Sequence, residues 1–342
     1  MTMKVLYITP NGVGDTSPQI AMANFIRPRF RRLDLLVTGK DSVHDFEQDW
    51  DVVFGAMEAS VPIAFQIATK KKIPLYSHWE WLPPFRLFGY PGGDDPRNWG
   101  YRDEHLDSHY MNNGYYHMYK QIIECAINSN INSCAGIICR DIANEFSGDK
   151  LKNCFIKYPS SPMPRDKNRD REKEDCFITI SRLVPNKRVV DLALVVREAN
   201  LETTWVIVGS GPEQKLIEKI LEKSKTKLKF YANTNGEEKF SLLSKAKFQL
   251  SAWHGLPQLE AALVGTPTIN LDIPYIRELY GNSLTWAAGI KDMSEKMNLF
   301  FNDRKTCKEK ADRLYEAAFS NKLNINTLEQ GADIIEETLR RL

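Results

Sequence analysis

The chain has 342 residues, of which 42% are hydrophobic and 26% are charged, and its formal net charge at pH 7 is +2. This composition excludes a disordered or fibrous chain and is typical of a globular protein with two domains. No apolar run reaches the roughly 18 residues of a membrane helix. The near-neutral charge argues against a broad nucleic-acid-binding surface, so we expect no nucleic acid partner. The six cysteines form no CxxC pair, which favours reduced thiols in a cytoplasmic protein.

Short apolar runs alternate with helical patterns along the whole chain. The predicted strands are KVLYIT, LDLLVT, DVVFGAM, IPLYSHW, AGIIC and CFIKYP in the first half, and CFITISRL, TWVIVGS, LKFYA, FQLSAW and PTINLD in the second. Strands rich in Val, Ile and Leu that are separated by helices predict parallel sheets covered on both faces, and therefore an α/β fold. The apolar run of the first strand is too short for a signal peptide.

The composition changes sharply at residues 159–175, PSSPMPRDKNRDREKED, where prolines, serines and charges replace large aliphatic residues. Such a segment cannot belong to a core and indicates a linker. We therefore predict a first Rossmann-like domain at 1–160, a linker at 161–175 and a second Rossmann-like domain at 176–324. The remainder, 325–342, has the spacing of an amphipathic helix.

A segment at 79–119 is dense in Trp, Tyr, Phe and His, rich in Pro and Gly, and has no clear period. It predicts either a binding loop for a sugar ring or amphipathic acceptor, or an irregular loop packed on its own aromatic side chains.

Two basic clusters, RPRFRR at 27–32 and KKK at 70–72, predict solvated faces. The alternative is peripheral contact with the anionic inner face of a membrane.

Gly12 and Gly14 follow the first strand in ITPNGVGDTSPQ. The loop is similar to the GxGxxG turn of dinucleotide-binding proteins, which suggests an NAD(P)-dependent oxidoreductase as one alternative. However, serine replaces the third glycine. The second strand, in LDLLVTGK, also ends without the acidic residue that a ribose requires. Taken alone, this loop is weak evidence of a dinucleotide site.

Two further strand-to-helix loops place candidate residues at the ligand edge of the second sheet. In ITISRLVPNKR, Arg182 and Lys187 are five residues apart and could clamp a diphosphate, unless they are ordinary surface charges. In WVIVGSGPEQ, Gly209 and Gly211 close a strand and Pro212 takes a favoured first helical position. By itself, the second loop is as compatible with a structural connection as with a binding site.

The stretch SAWHGLPQLEAALVGTPTI, residues 251–269, reads as strand, turn, helix and strand. Pro257 is predicted to start the helix, with Glu260 in its first turn. There the carboxylate could complement the helix dipole, or it could accept hydrogen bonds from sugar hydroxyls. The amides of Gly255 and Leu256 would suit a phosphate.

The order of SRLVPNK, VGSGPE and SAWHGLPQLEAALVGTPTI resembles the donor-binding half of the retaining nucleotide-sugar glycosyltransferases of family 4, which have the GT-B fold. The resemblance covers roughly 175–280 and is weaker before it. It implies two Rossmann-like domains facing a central cleft and a terminal helix that crosses back to the first domain. It also implies that Arg182 and Lys187 hold the donor diphosphate and that Glu260 binds the nucleotide ribose. Amides of Gly255 and Leu256 would approach the sugar-phosphate.

In the first half, the loop of Gly12 and Gly14 resembles the family's glycine loop facing the diphosphate. His78, in LYSHWEW, matches a histidine near the transferred sugar, although a lone histidine is as often structural. One departure stands out: the family commonly has a glutamate eight positions before its second one, and this chain has Ala252 there. His254 could replace its hydrogen bonds, the donor sugar could be unusual, or activity could be lost.

The resemblance therefore predicts a retaining, metal-independent glycosyltransferase that needs no cofactor. The expected partners are a UDP- or GDP-sugar donor and a glycan, lipid-linked or small-molecule acceptor. The Asp94–Asp95 pair does not follow a predicted strand, so no metal site is expected. The alternative is a transferase-like scaffold that binds without turnover. The predicted site comprises His78, Arg182 and Lys187 as catalytic residues and Gly12, Gly14, Gly209, Gly211, His254, Gly255, Leu256, Pro257 and Glu260 as donor-binding residues.

Overall fold

Two units make up the described part of the chain. The computed structural model describes residues 2–10, 18–38, 40–41, 49–57, 60–79, 124–125, 128–137, 139–141, 144, 153–161, 172–184, 187–232, 234, 236–253, 256–320 and 322–342. The first unit contains the described residues within Met1–Arg86, Tyr110–Pro162 and Asn324–Leu342. The second contains those within Met163–Leu323.

The first unit is built on a parallel six-stranded sheet with the strand order β2-β1-β3-β4-β5-β6. Its strands are β1 (Lys4–Pro10), β2 (Arg32–Thr38), β3 (Val52–Gly55), β4 (Leu75–Trp79), β5 (Ile131–Cys134) and β6 (Cys154–Ile156). The helices α1 (Pro18–Ile26) and α2 (Val61–Lys71) and a short 3₁₀ helix, Arg27–Arg29, accompany it. The strand order reverses between β1 and β3, as in doubly wound sheets.

Successive side chains of β1 point to opposite faces of the sheet, which explains why its sequence is continuously apolar. Val5 and Tyr7 belong to a core cluster shared with α1. Leu6 and Ile8 point the other way, into a second cluster shared with α2. Because successive side chains of a strand point to opposite faces, a sheet covered on both sides needs apolar residues at every position.

The second unit contains another parallel six-stranded sheet, in the order β10-β9-β8-β11-β12-β13. Its strands are β8 (Cys176–Ile180), β9 (Thr204–Val208), β10 (Lys227–Tyr231), β11 (Gln249–Ser251), β12 (Thr268–Leu271) and β13 (Thr285–Ala287). Its helices are α3 (Val189–Ala199), α4 (Gln214–Leu221), α5 (Gly236–Lys245), α6 (Leu256–Leu263), α7 (Pro274–Tyr280), α8 (Ile290–Asn302) and α9 (Arg304–Phe319). Counted within the unit, the order is 3-2-1-4-5-6, that of the Rossmann fold. The predicted α/β architecture of two Rossmann-like sheets is confirmed.

The terminal helix α10 (Leu328–Arg340) returns to the first unit, as predicted. The Thr327 hydroxyl accepts from the Gln330 N–H, and the Gln330 side chain accepts from the Thr327 N–H, which completes a capping box. Ile335 and Leu339 enter the same core cluster as Val5 of β1. A small parallel sheet of β7 (Ser160–Ser161) and β14 (Asn326–Thr327) fixes the entry to the helix.

The basic cluster at 27–32 is partly used for this docking. The Arg29 guanidinium lies 2.7 Å from Glu329, 2.5 Å from Asp333 and 3.2 Å from Glu336, all on α10. A guanidinium held by three carboxylates is occupied within the unit. No helix in the described part of the chain is both long and apolar enough to span a membrane.

The prediction of a strand at AGIIC is wrong. The strand lies just before it, at Ile131–Cys134 (β5), and the described residues of AGIIC are outside any strand. Its two polar residues, Asn132 and Ser133, made this strand difficult to recognise in the sequence. Asn132 accepts a hydrogen bond from Ser77 at 2.5 Å, and the Ser133 hydroxyl lies 2.7 Å from that of Tyr76. Because β4 satisfies these buried polar groups, the strand can be less apolar than the segment that follows it.

We expect Gly331→Ala to destabilise the protein although alanine normally favours a helix over glycine. A Cβ at Gly331 would lie 2.1 Å from Ser160 Oγ and 2.8 Å from Met22 Cε. Such overpacking costs about 1–3 kcal/mol, to be measured by urea unfolding. Ser160→Gly in the same protein removes the nearest atoms and should recover part of the loss. A Gly331→Ala protein as stable as its parent would contradict the described docking of α10.

Candidate functional site

The strand order of the second sheet reverses between β8 and β11. In doubly wound sheets, ligands bind in the crevice beyond the carboxyl ends of the strands at such a reversal. The loops that follow β8, β9 and β11 all lie at this edge, because the three strands are parallel. The described candidate residues on these loops and on α6 are Arg182, Lys187, Gly209, Gly211, Leu256, Pro257 and Glu260.

The cations after β8 fall into two kinds. Arg188 pairs with Asp191 at 2.5 Å, and both side chains are buried. Arg182 and Lys187 form no ion pair with a described residue. The Lys187 ammonium lies 5.8 Å from the ring centroid of Trp253, which allows a cation–π contact. Burial, and to a lesser extent the charge of Arg182, lower the pKa of Lys187 to about 7, so this pair would gain from an anion.

The two glycines after β9 allow the β9 loop to lie directly against the β8 loop. A Cβ at Gly209 would be 2.0 Å from the Ser181 carbonyl oxygen, and one at Gly211 would be 2.2 Å from that of Leu183. Both glycines have positive φ, +138° and +158°. The Gly209 N–H donates to the carbonyl of Tyr231 at 2.8 Å. The glycines therefore position the neighbouring loop by close backbone approach, and the Gly209 amide is not free for a ligand.

Glu260 is buried, with 3% of its surface exposed, although it is ionisable. It is the fifth residue of α6, so its predicted place in the first turn is wrong. Its Oε1 accepts a hydrogen bond from Lys239 Nζ at 2.7 Å, while its Oε2 has no hydrogen-bond partner among the described residues. Burial and the charge of Glu260 raise the pKa of nearby Tyr280. A buried carboxylate oxygen without a donor is costly, which indicates a ligand that supplies one.

Gln258 was missed by the sequence analysis, although it stands out as an amide in an apolar helix. Its side chain is buried, and its Nε2 lies 2.8 Å from Ser251 Oγ and 3.0 Å from Asn270 Oδ1. The same nitrogen contacts the carbonyl of Trp253. Gln258 thus ties the turn before α6 to β11 and β12, and this fixes where α6 begins.

The two described residues beside that turn have different surroundings. Ala252 is buried in the main apolar cluster of the second unit. Trp253 is also buried, and its ring faces the Lys187 ammonium. The position where the family that the sequence resembles carries its first glutamate is therefore part of the core here. The tryptophan contributes to the site through Lys187.

His78 lies in β4 and is completely buried. Its Nδ1 is 2.8 Å from Ser133 Oγ, and its Nε2 is 3.4 Å from the Lys157 Nζ. Lys157 follows β6 and is only 2% exposed. The Lys157 Nζ can donate a hydrogen bond to Nε2 only when that nitrogen carries no proton. No sequence pattern indicated this lysine, which is 79 residues from the histidine that it contacts.

Several predictions lie outside the described residues. These are the glycine loop of Gly12 and Gly14, the turn residues His254 and Gly255, the aromatic segment from 80 onwards including Asp94–Asp95, and residues 162–171 of the linker. They stay predictions. In the part of the chain that the structure describes, no three His, Cys, Asp or Glu residues are grouped so that they could hold a metal ion.

Comparison with known proteins agrees with this geometry. Residues 162–320 match the family described as "Glycosyl transferases group 1", and this segment contains the whole described edge from Arg182 to Glu260. A comparison with curated proteins gives no match.

Solved structures resemble the whole chain. Anabaena HepE, crystallised with UDP and glucose, has a TM-score of 0.69 at 14% identity, over 99% of this chain and 100% of its own. Sucrose-phosphate synthase from Thermosynechococcus elongatus has a TM-score of 0.70 at 11% identity, over 99% and 98% of the two chains. An α-glucosyltransferase, AGT, in complex with UDP has a TM-score of 0.55 at 11% identity, over 93% and 96%.

At such identities, the structural likeness shows the fold, which is GT-B. The family match covers residues 162–320, slightly less than half of the chain, and this segment holds the candidate site. Together, the comparisons show the fold and indicate the class of function that we propose below. Neither comparison supports the alternative of an NAD(P)-dependent oxidoreductase.

Gly209→Ala and Gly281→Ala form a matched pair that tests the contact between the β8 and β9 loops. Both glycines have positive φ, but a Cβ at Gly281 would meet nothing within 4 Å. Both substitutions should therefore cost backbone strain, while only Gly209→Ala adds a clash with a carbonyl. We expect Gly209→Ala to lower the free energy of unfolding by roughly 2 kcal/mol more, measured by urea denaturation. Equal losses would show that the loops are not in close contact.

Proposed function

We propose that the chain binds a UDP-sugar in its second unit and transfers the sugar to an acceptor hydroxyl with retention of configuration and without a metal. The observation that carries the proposal is the charge arrangement at one sheet edge. Arg182 and Lys187 form no ion pair with a described residue. They occur with a buried carboxylate, Glu260, whose Oε2 has no hydrogen-bond partner in the described part of the chain. UDP is bound in the HepE and AGT structures, which supports the choice of nucleotide.

Each of these groups fits one part of such a donor. A diphosphate would accept hydrogen bonds from the planar guanidinium of Arg182 and the ammonium of Lys187. Glu260 can accept hydrogen bonds from the ribose hydroxyls through the oxygen that Lys239 does not occupy. Leu256 and Pro257 begin α6, where the positive end of the helix dipole favours a phosphate.

The transfer step exchanges one bond at the anomeric carbon of the sugar for another. The bond to the diphosphate oxygen breaks, and the leaving group keeps the electron pair. The acceptor oxygen bonds to the carbon on the same face, and its proton passes to an oxygen of the leaving phosphate. The transition state resembles an oxocarbenium ion, and Arg182 and Lys187 would stabilise the charge that develops on the diphosphate. These cations supply the stabilisation for which other transferases use a metal.

In this proposal, His78 of the first unit is a positioning residue and does not act as a general base. Its two ring nitrogens lie against Ser133 and Lys157, which is an unsuitable arrangement for a general base. We propose that the glycine loop of Gly12 and Gly14 contacts the donor. A glycan, a lipid-linked molecule or a small molecule would provide the acceptor hydroxyl, in the cytoplasm or at the inner face of a membrane.

One observation favours a second candidate, a scaffold that binds the donor without turnover. Ala252 is buried among apolar side chains, so this position offers no carboxylate to the donor sugar. Sugar binding would then depend on other groups, of which His254 is our candidate. Nucleotide binding is common to both functions, and only turnover separates them.

Replacing Arg182 by alanine should weaken UDP binding by about 10-fold or more, since a charge-assisted hydrogen bond contributes about 1.5–3 kcal/mol. Isothermal titration calorimetry with UDP measures this. Arg197→Ala is the control, because Arg197 is exposed in the last turn of α3. Unchanged affinity in Arg182→Ala would remove this residue from the site. Stabilisation by NAD(P) and by no nucleotide sugar, in a thermal-shift panel, would contradict the proposed function itself.

The same panel identifies donors for a turnover assay. Release of UDP from a stabilising UDP-sugar, with and without added acceptors, distinguishes the enzyme from the scaffold. Retention is read from the anomeric configuration of the product by NMR. Activity that persists in EDTA and does not rise with Mg²⁺ or Mn²⁺ supports metal independence.

UDP affinity should fall as pH rises from 7 to 9, because the free protein loses the Lys187 proton near pH 7. The sign follows from linkage: UDP binds the protonated amine, so binding must take up a proton above this pKa. The affinity then falls by at most about tenfold per pH unit.

The same shift affects folding. Because the pKa of Lys187 is lower in the folded protein than in the unfolded chain, the contribution of Lys187 to the free energy of unfolding increases from pH 7 to pH 10.5.

Lys187→Arg keeps the charge at all these pH values and should flatten the profile, whereas Lys187→Met should weaken binding throughout. Calorimetric titrations of the parent and both variants at pH 7, 8 and 9 make the comparison. A parent protein with the same UDP affinity at all three values would show that Lys187 does not contact the nucleotide as an ammonium ion.

A further inference from the structure

A cavity of about 290 Å³ lies at the edge of the second sheet opposite to the candidate donor site. We call it the basal cavity. Among the residues that line it, Lys173 precedes β8, Lys247 precedes β11, and Pro267 precedes β12. Since these strands are parallel, their starts share one edge, and the residues after their ends, including Arg182, share the other. The length of a strand therefore separates the two sites.

Cations dominate the charged lining of the basal cavity. The charged residues that line it are Lys173, Lys247, Arg304, Lys308 and Asp312. Lys308 lies 3.2 Å from Asp312, and Lys247 lies 2.6 Å from Asp175, outside the lining. These two lysines are therefore partly neutralised. Lys173 and Arg304 form no ion pair with a described residue.

Lys173 is an ammonium group held by neutral partners. Its Nζ donates to the Ser244 carbonyl at 2.7 Å and to Thr266 Oγ1 at 3.0 Å. Burial lowers the pKa of Lys173 to about 8. An anion in the cavity would therefore stabilise the charged form of this lysine.

Arg304 begins α9, next to the aspartate that caps this helix. The Asp303 carboxylate accepts hydrogen bonds from the backbone of Lys305 and Thr306 and from the Thr306 hydroxyl. It thus satisfies the helix end, while Arg304 lines the cavity and forms no ion pair with a described residue.

The rest of the wall is mainly apolar. Phe300, Phe301, Pro267 and Ala311 contribute to it, and the Lys247 ammonium lies 3.9 Å from the Phe301 ring centroid. A free phosphate would leave this surface uncovered, and a neutral apolar ligand would leave the cations unpaired. The cavity fits a ligand with an anionic end and an apolar body.

We propose that the basal cavity binds a phosphate monoester with an aromatic or aliphatic body. Lys173 and Arg304, which form no ion pair in the described part of the chain, match the two negative charges of the phosphate group. The phenylalanine side chains match the body. A soluble phosphate ester and the headgroup of phosphatidic acid share this chemistry. This site is independent of UDP-sugar binding, so the failure of either proposal leaves the other standing.

Calorimetric titration of the full chain with phenyl phosphate tests the site. We expect one site per chain, weaker binding of inorganic phosphate, and at least a fivefold loss of phenyl phosphate affinity in Arg304→Ala. Arg313→Ala is the matched control, because Arg313 is exposed on the same helix and does not line the cavity. Binding should also be unchanged in Arg182→Ala, which excludes the donor edge as its location.

The proposal is overturned if phenyl phosphate does not bind at millimolar concentration, if Arg304→Ala binds as the parent does, or if Arg182→Ala abolishes binding. Sedimentation with phosphatidylcholine vesicles, with and without phosphatidic acid, then separates the two sources. Sedimentation that requires both phosphatidic acid and Arg304 assigns the lipid headgroup. Binding of phenyl phosphate without such sedimentation assigns a soluble ester.

Discussion

The functional edge of the second unit depends on a contact between two stretches of backbone. The loop after β9 lies so close to the loop after β8 that the Leu183 N–H reaches the Ser210 carbonyl at 2.9 Å, and the Glu213 N–H reaches that of Leu183 at 3.1 Å. No side chain fits between them at Gly209 or Gly211. Main-chain hydrogen bonds therefore set the direction in which the loop after β8 leaves the sheet. This contact also determines the position of Arg182, which lies on that loop.

The charges at this edge are arranged differently from those elsewhere in the same unit. Arg188 is paired with a carboxylate, because it lies 2.5 Å from Asp191. Lys187, by contrast, lies beside another cation, Arg182, and Glu260 Oε2 has no hydrogen-bond partner among the residues that the structure describes. Arrangements of this kind cost folding free energy and are typical of functional sites. A ligand that carries both negative charge and hydroxyl donors would offset both costs.

The sequence predicts what is encoded locally and misses what depends on distant neighbours. The Rossmann-like sheets could be predicted because both faces are covered and the strands are therefore continuously apolar, as in β1. The residues at the ends of β8, β9 and β11 could be found because a parallel sheet brings such ends to one edge. These strand patterns do not indicate which nucleotide the proposed donor carries.

The contact of Lys157 with His78 could not be found, because it joins β4 to the residue after β6. The true position of β5 was hidden for a related reason, since Asn132 and Ser133 are stabilised by side chains of β4. The place of Glu260 was misjudged by one residue, because α6 begins at Leu256 rather than at Pro257. Gln258 could have been recognised as the one amide on an otherwise apolar helix face.

The return of α10 to the first unit has a consequence for biosynthesis. Domains commonly fold in order as the chain leaves the ribosome. Here the core that surrounds Val5 and Tyr7 also contains Ile335 and Leu339, so the domain synthesised first remains incomplete until residues 328–340 emerge. The described residues of the second unit lie within Met163–Leu323 and are all synthesised earlier. The core of the first unit is therefore completed only after the whole second unit has been synthesised.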